Sequence, residues 1–263
     1  RIMQTSRSRI ILLASTLFGG IIPFSAFAED TDADVEQIVV NGQRYQEGYK
    51  VEEATSATKV AAPLRDVPQT INVIGEDIIL DQRALSLQDV LKNVPGVGFS
   101  SGDGQRDQVS IRGFSAIADQ FVDGLRDDAL YFRDLSNIER VEVIKGPASV
   151  LYGRGSSGGL INRIRKKPSD THVIASASYG SFEDRRGEID LGLASSDDRV
   201  AGRLTGAIEK ADSYRDYQFL DRKAIAPSLL VKPDGRTSIL LQADYLEDER
   251  VTDFGIPAYR GRP

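Results

Sequence analysis

From residue 172 onward, polar and apolar residues alternate in five runs, "VIASASY", "EIDLGLA", "RVAGRLTGAIE", "AIAPSLLV" and "SILLQADYL". A period of two marks a strand whose successive side chains point to opposite faces of a sheet. In the second run Ile189, Leu191 and Leu193 share one face, and Glu188, Asp190 and Gly192 the other. In the third, Val200, Leu204 and Ile208 oppose Arg203, Thr205 and Glu209. Each run is near the ~9–11 residues of a tilted strand that crosses a bilayer. "SSDD" and "KPDG" read as tight turns, whereas "GSFEDRRG", "KADSYRDYQFLDR" and the segment after Tyr245 read as longer loops. Short turns on one side and long loops on the other are the layout of an outer-membrane barrel. A soluble β-sandwich has the same alternation and stays open at this point.

Upstream, residues 61–168 read as one mixed α+β domain. "QTINVI", "QVSIRGF" and "ERVEVIKG" are strand-like. "SLQDVLKNV" predicts a helix with Ser86 as N-cap, Asp89 three residues later, and Pro95-Gly96 as terminator. "SGDGQRDQ" and "LRDDALYFRDL" are polar enough to be exposed loop tips. Residues 29–60 are polar and acidic, apart from the β-branched island "EQIVV", Glu36 to Val40. The upstream "EDTDAD" offers it no partner strand, so this island suits addition to the sheet edge of another protein. At the N-terminus, Arg1, Arg7 and Arg9 precede an apolar run from Ile10 to Phe24 and a small-x-small site, Ala26-Phe27-Ala28. That is the order of a secretory signal peptide over residues 1–28.

Composition narrows the chemistry. With 40% hydrophobic and 27% charged residues, the chain is one that folds. The absence of cysteine excludes disulfides and thiolate zinc sites. His172 is the only histidine, which argues against histidine metal sites and Ser-His-Asp catalysis. A net charge of -6 argues against a general nucleic-acid binder. Gly153-x-Gly155-x-x-Gly158 matches the dinucleotide-binding fingerprint, which requires a strand before it and a helix after it. Here a short helix "PASVLY", with Pro147 in its first turn, comes before, and the strand-like "GLINRIRK" comes after. The context is inverted, so nucleotide binding is not expected and the glycines are assigned to close backbone approach.

These residues carry a resemblance. "NIERVEVIKGPASVLYGRGSSGGLINRIRKKP" resembles the plug-domain signature of TonB-dependent outer-membrane siderophore receptors. "EQIVV" is similar to the TonB box, and "APLRDVPQTINVI", "SLQDVLKNVPGV", "IRGF" and "VDGLRD" follow in the family's order. "YGSFEDRRGEIDLGLA" resembles the first barrel hairpin, and "DFGIPAYRGRP" an early extracellular loop. The resemblance implies an α+β plug domain at 61–168, then the first antiparallel strands of a transmembrane β-barrel of about 22 strands. About five strands fall within 169–263, too few to close a barrel, so the chain is expected to be the N-terminal part of a longer receptor.

The function implied is TonB-dependent uptake of a ferric siderophore, with no catalysis, no resident metal and no covalent cofactor. The partners implied are TonB with ExbB and ExbD, outer-membrane lipid and the siderophore, for a full-length monomer. Glu36, Gln37, Ile38, Val39 and Val40 would pair with TonB. In the loops, Arg106, Arg126 and Arg133 would offset the charge of a ferric catecholate, and Tyr131 and Phe132 would stack on its rings. Arg112 and Lys145 match basic plug positions that pair with barrel glutamates, although Lys145 stands where arginine is common. "GDGQRDQ" and "VDGLRDD" lean toward catecholate receptors. A receptor for cobalamin or a glycan, and an exported soluble β-rich binding protein, are the alternatives.

Overall fold

The computed structural model describes residues 49, 51, 53–59, 62–100, 104–155, 157–253 and 255. The expected signal peptide and the Glu36–Val40 segment lie outside them. Along the chain, β1 (Glu53–Ala54) and β2 (Ala62–Pro63) close a short loop. β3 (Thr70–Gly75) leads directly into helix α1 (Glu76–Asp81). Helix α2 (Leu87–Leu91) starts at the expected cap: Ser86 Oγ accepts from Asp89 N–H, and the Asp89 carboxylate accepts from Ser86 N–H. Its apolar positions Leu87, Val90 and Leu91 are fully buried.

β4 (Val97–Phe99), β5 (Val109–Ile111) and β6 (Phe114–Ser115) form a three-stranded sheet. The main sheet continues with β7 (Gln120–Val122), β8 (Leu125–Arg126) and β9 (Ile138–Lys145). Helix α3 (Ser149–Tyr152) precedes β10 (Gly159–Arg165). Pro147 lies just outside α3 rather than in its first turn, because Ala148 is the cap. The main sheet runs β3-β9-β10-β7-β8, and β10 pairs parallel with β7. On β9, Val141 and Val143 face the core under α1 and α2, while Ile144 faces a second cluster with Ala57, Phe121 and Leu160.

"IRGF" and "VDGL" are both two-residue hairpins. Their central residues, Arg112-Gly113 and Asp123-Gly124, all have positive φ, as type I′ turns require. Of the three fingerprint glycines, Gly158 makes the close backbone approach, whereas a Cβ at Gly153 would meet nothing and its φ is positive. A Cβ at Gly158 would lie 2.2 Å from the Ile111 carbonyl oxygen, so only glycine lets β10 enter beside β5.

The C-terminal sheet contains β11 (His172–Tyr179), β12 (Arg185–Ala194), β13 (Val200–Asp212), β14 (Phe219–Val231), β15 (Ile239–Gln242) and β16 (Tyr245–Arg250), all antiparallel. β15 and β16 both pair with β14 in one continuous register, from Val231↔Ile239 to Leu220↔Arg250. They are a single strand interrupted opposite Pro227, which has no N–H to donate. The sheet therefore has the five strands read from the alternation, and these do not close into a barrel.

The register sorts the two faces. One carries Arg186, Asp190, Thr205, Glu209 and Arg222, all buried against the N-terminal domain. The other carries Val173, Ile189, Leu193, Ile208, Ile225 and Leu241, all exposed. The expected contrast between long and short connections is absent here. Residues 180–184 and 213–218 number five and six, against five and seven for 195–199 and 232–238. β13 and β14 continue pairing as far as Asp212↔Phe219, which absorbs residues read as loop.

Candidate functional site

Two polar "loop tips" of the N-terminal domain are drawn together by Arg133, whose side chain is almost completely buried. Its Nη2 donates to the carbonyls of Asp127 and Ala129, both at 2.9 Å. Its Nη1 donates to the Tyr131 carbonyl at 3.2 Å and to Asp107 at 3.4 Å, and its Nε to Asp127 at 3.2 Å. Asp107 also accepts the Arg133 backbone N–H at 3.0 Å, which ties residues 104–107 to the 127–133 loop. Burial pushes the Asp107 carboxyl above its ordinary range, against the pull of Arg133. Arg163, also buried, completes the cluster on Asp127. There, burial acts upward, but Arg163 and Arg133 outweigh it and hold Asp127 below the usual carboxylate range.

Arg133 was expected to read ligand charge. Every donor of its guanidinium is engaged by Asp107 or by the 127–133 loop. The Tyr131 ring lies under the Arg133 guanidinium, 4.4 Å from centroid to Cζ, and its hydroxyl donates to Asp127 at 2.9 Å. Arg126 turns back onto the domain, donating to the Ala118 carbonyl at 2.5 Å and to the Arg154 carbonyl, with its Cζ 4.8 Å from the Phe121 ring. Arg106 is half-buried beside Asp107. Phe132 is half-buried and stacked by Arg250 of β16 at 3.9 Å.

Arg112 and Lys145 come together. The Arg112 guanidinium lies above Gly146, and Lys145 donates to the Pro95 carbonyl at 2.6 Å. Partial burial, then repulsion by Arg112, lowers the Lys145 pKa. Neither cation has an acidic partner among the described residues.

The alternation missed what holds the N-terminal domain to the strands. Asp134 faces Arg186 at 3.0 Å and Arg222 at 3.5 Å. Arg186 is shared with Glu209 at 2.7 Å and Glu188 at 2.6 Å. Arg222 also pairs with Asp248 at 2.7 Å. Lower down, Lys166 bridges Glu76 of α1 at 2.8 Å and Asp190 of β12 at 3.0 Å, and Asp190 also holds Arg203 and His172. Arg165 joins Asp123 to Asp244, both at 2.6 Å. The only signal in the sequence was charge at positions that alternate inward on β12, β13 and β14. A cavity of about 660 Å³ opens along this seam, lined by Arg126, Tyr131 and Arg163 on one side and Tyr245 and Asp248 on the other. No group of three or more His, Asp or Glu suited to a metal ion occurs among the described residues.

Comparison with known proteins matches residues 63–160 to the TonB-dependent Receptor Plug Domain. The chain is 37% identical over 254 residues to the probable TonB-dependent receptor BfrD of Bordetella pertussis, covering 90% of this chain and 32% of that protein. It is 35% identical over 246 residues to the catecholate siderophore receptor Fiu of Escherichia coli strain CFT073, with the same coverages. The closed crystal form of the ferric-catecholate import receptor Fiu from strain K12 superposes with a TM-score of 0.75 at 37% identity, covering 80% of this chain and 30% of that one. The chain thus spans about a third of the length of the relatives it matches.

Proposed function

Since the chain belongs to the TonB-dependent receptors, with their plug domain and the first strands of their barrel fold, we propose that it acts in energised uptake of a ferric siderophore across an outer membrane. The observation that carries this reading is the two-faced sheet. Its inner face is charged and bound to the plug, and its outer face is an apolar field. From Val200 to Ile208 the outward residues of β13 run apolar over nine positions. At ~3.3 Å per residue and a tilt near 40°, that is about 20 Å of height, close to the ~25 Å band of outer-membrane barrels. Immediately beyond it the outer face becomes charged, with Lys210 paired to Asp221 and Lys223 to Glu247. A sandwich in water has no need of such a band.

In this reading Glu36 to Val40 pairs with TonB, itself driven by ExbB and ExbD. The siderophore settles on the loops that Arg133 organises, and Arg106, Arg126, Tyr131 and Phe132 are the candidate contacts. Arg112 and Lys145, two adjacent cations without acidic partners among the described residues, are suited to barrel glutamates. The relatives named as catecholate receptors favour a catecholate ligand. The protein carries cargo and is not an enzyme. No covalent cofactor is required, and a monomer suffices when full length.

The test is Ile38→Pro in the complete receptor. Proline removes a backbone donor and blocks an added strand. Uptake of radiolabelled ferric siderophore should fall to background while equilibrium binding stays at the parent value. Uptake at the parent rate would exclude the strand-addition site.

A further inference from the structure

Residues 54–59 cross the face of the plug sheet opposite its main core. β1 and β2 close them into a loop, and Ala57 packs among Phe121, Ile144 and Leu160. Beneath them lies Glu142, a carboxylate with 0% exposure near the centre of β9. Its Oε2 accepts the backbone N–H groups of Thr55 at 3.2 Å and Ser56 at 2.9 Å. Its Oε1 accepts from Arg140 Nε at 2.8 Å. Ser56 is gripped twice more, as Asn162 Nδ2 donates to its Oγ and Tyr152 Oη donates to its carbonyl, both at 2.7 Å.

A buried carboxylate is tolerated only while it is hydrogen-bonded. Glu142 draws two of its donors from the loop, which the two-residue ladder, the two bonds to Ser56 and Lys59 on the Gly124 carbonyl also hold. An apolar side chain on β9 would fill the same space without that dependence. With Glu142 in place, lifting the loop takes both backbone donors from its carboxylate at once and leaves it Arg140 alone, so the Thr55 and Ser56 contacts are lost together. The position along the chain adds a consequence. Residues 54–59 lie between the upstream segment and β3, the edge strand of the plug sheet, yet they are fastened to β9, the strand next to it. Tension from upstream therefore meets the Glu142 contacts before it reaches β3.

We propose that residues 54–59 are a releasable strap and Glu142 its clasp, closed in the resting receptor and opened before the plug can be remodelled. The proposed coupling to TonB supplies only the source of the pull; the clasp stands without it.

The chain has no cysteine, so Ala57→Cys adds one thiol to this part of the receptor, under the strap, and labelling of the receptor without it is subtracted as background. Membranes carrying the complete receptor, with no energised partner, are treated with a water-soluble maleimide. Ser181→Cys, in an exposed turn, sets the rate for an open thiol. Ala57→Cys should label far more slowly than that. Adding Glu142→Gln replaces an acceptor with a donor and should raise the rate at least about tenfold. Adding Tyr152→Phe removes one hydroxyl without changing shape and should raise it by a factor of about two to ten. Amide exchange across Val141–Val143 should stay protected, which separates strap opening from unfolding. If Glu142→Gln loses that protection, Tyr152→Phe decides alone. Labelling of Ala57→Cys at the open rate, or no acceleration by Tyr152→Phe in a folded plug, overturns the strap. Failure of Ile38→Pro to stop uptake would instead overturn the coupling and leave the strap in place.

Discussion

Asp134→Asn isolates the charge on the plug side of the seam. The amide keeps the side-chain oxygen that accepts Ser136 N–H at 2.9 Å, so the local turn survives. What disappears is the negative charge between Arg186 and Arg222, both nearly fully buried. Removing one partner of an isolated buried pair costs about 3–5 kcal/mol. Here the cost is smaller, because Arg186 keeps Glu188 and Glu209, and Arg222 keeps Asp248. The remaining loss is one strong charge-assisted hydrogen bond and one longer ion pair, about 2–3 kcal/mol together. That corresponds to a roughly 30- to 150-fold rise in the population with the plug edge detached, at 1.4 kcal/mol per factor of ten. Amide exchange at residues 134–138 reads that population, and a cycle with Arg186→Gln isolates the pair. Acid should reproduce the effect. Burial favours the protonated Asp134, but Arg186, the Ser136 hydrogen bonds and Arg222 outweigh it and hold the carboxyl below its ordinary range. A depressed carboxyl contributes stability above its unfolded pKa, near 3.9, and that contribution is lost as pH falls through the folded value. A coupling under about 0.5 kcal/mol would show that apolar packing, rather than charge, holds the plug edge to the strands.

Arg133→Ala should unlock the 127–133 loop at a cost of about 3–5 kcal/mol and weaken ferric catecholate and neutral ferric hydroxamate equally; titration showing selective loss of the catecholate would return Arg133 to the role of a charge reader. Gly158→Ala drives a Cβ into the Ile111 carbonyl and should lower folded yield and plug protection in hydrogen exchange, and a variant as stable as the parent would contradict the close-approach account. The purified chain should show no saturable binding of NAD, FAD or ATP at millimolar ligand, since β10 follows Gly158 where a phosphate site needs a helix; calorimetric binding lost on Gly155→Val would reverse this.

The sequence by itself determined what depends on near neighbours. The capping box at Ser86 and Asp89 and the strand after Gly158 are decided within a few residues, where propensity acts directly, whereas the Arg112-Gly113 turn breaks a run, "QVSIRGF", that alternation reads as one strand. The two faces of β12 and β13 were legible for the same reason, since alternation alone assigns them. Only the tertiary structure decided which charges are used and how. Arg133 reads as an exposed loop arginine, and its burial follows from Asp107, 26 residues away, closing over it. Glu142 reads as the solvent-side position of an alternating strand, and it is buried because Thr55 and Ser56, more than 80 residues upstream, fold across it. Asp134 meets Arg186 over a separation of 52 residues. A charge in water and a charge in a buried network have the same letter in the sequence. The difference lies in desolvation and in partners brought close by the fold, and neither leaves a local pattern.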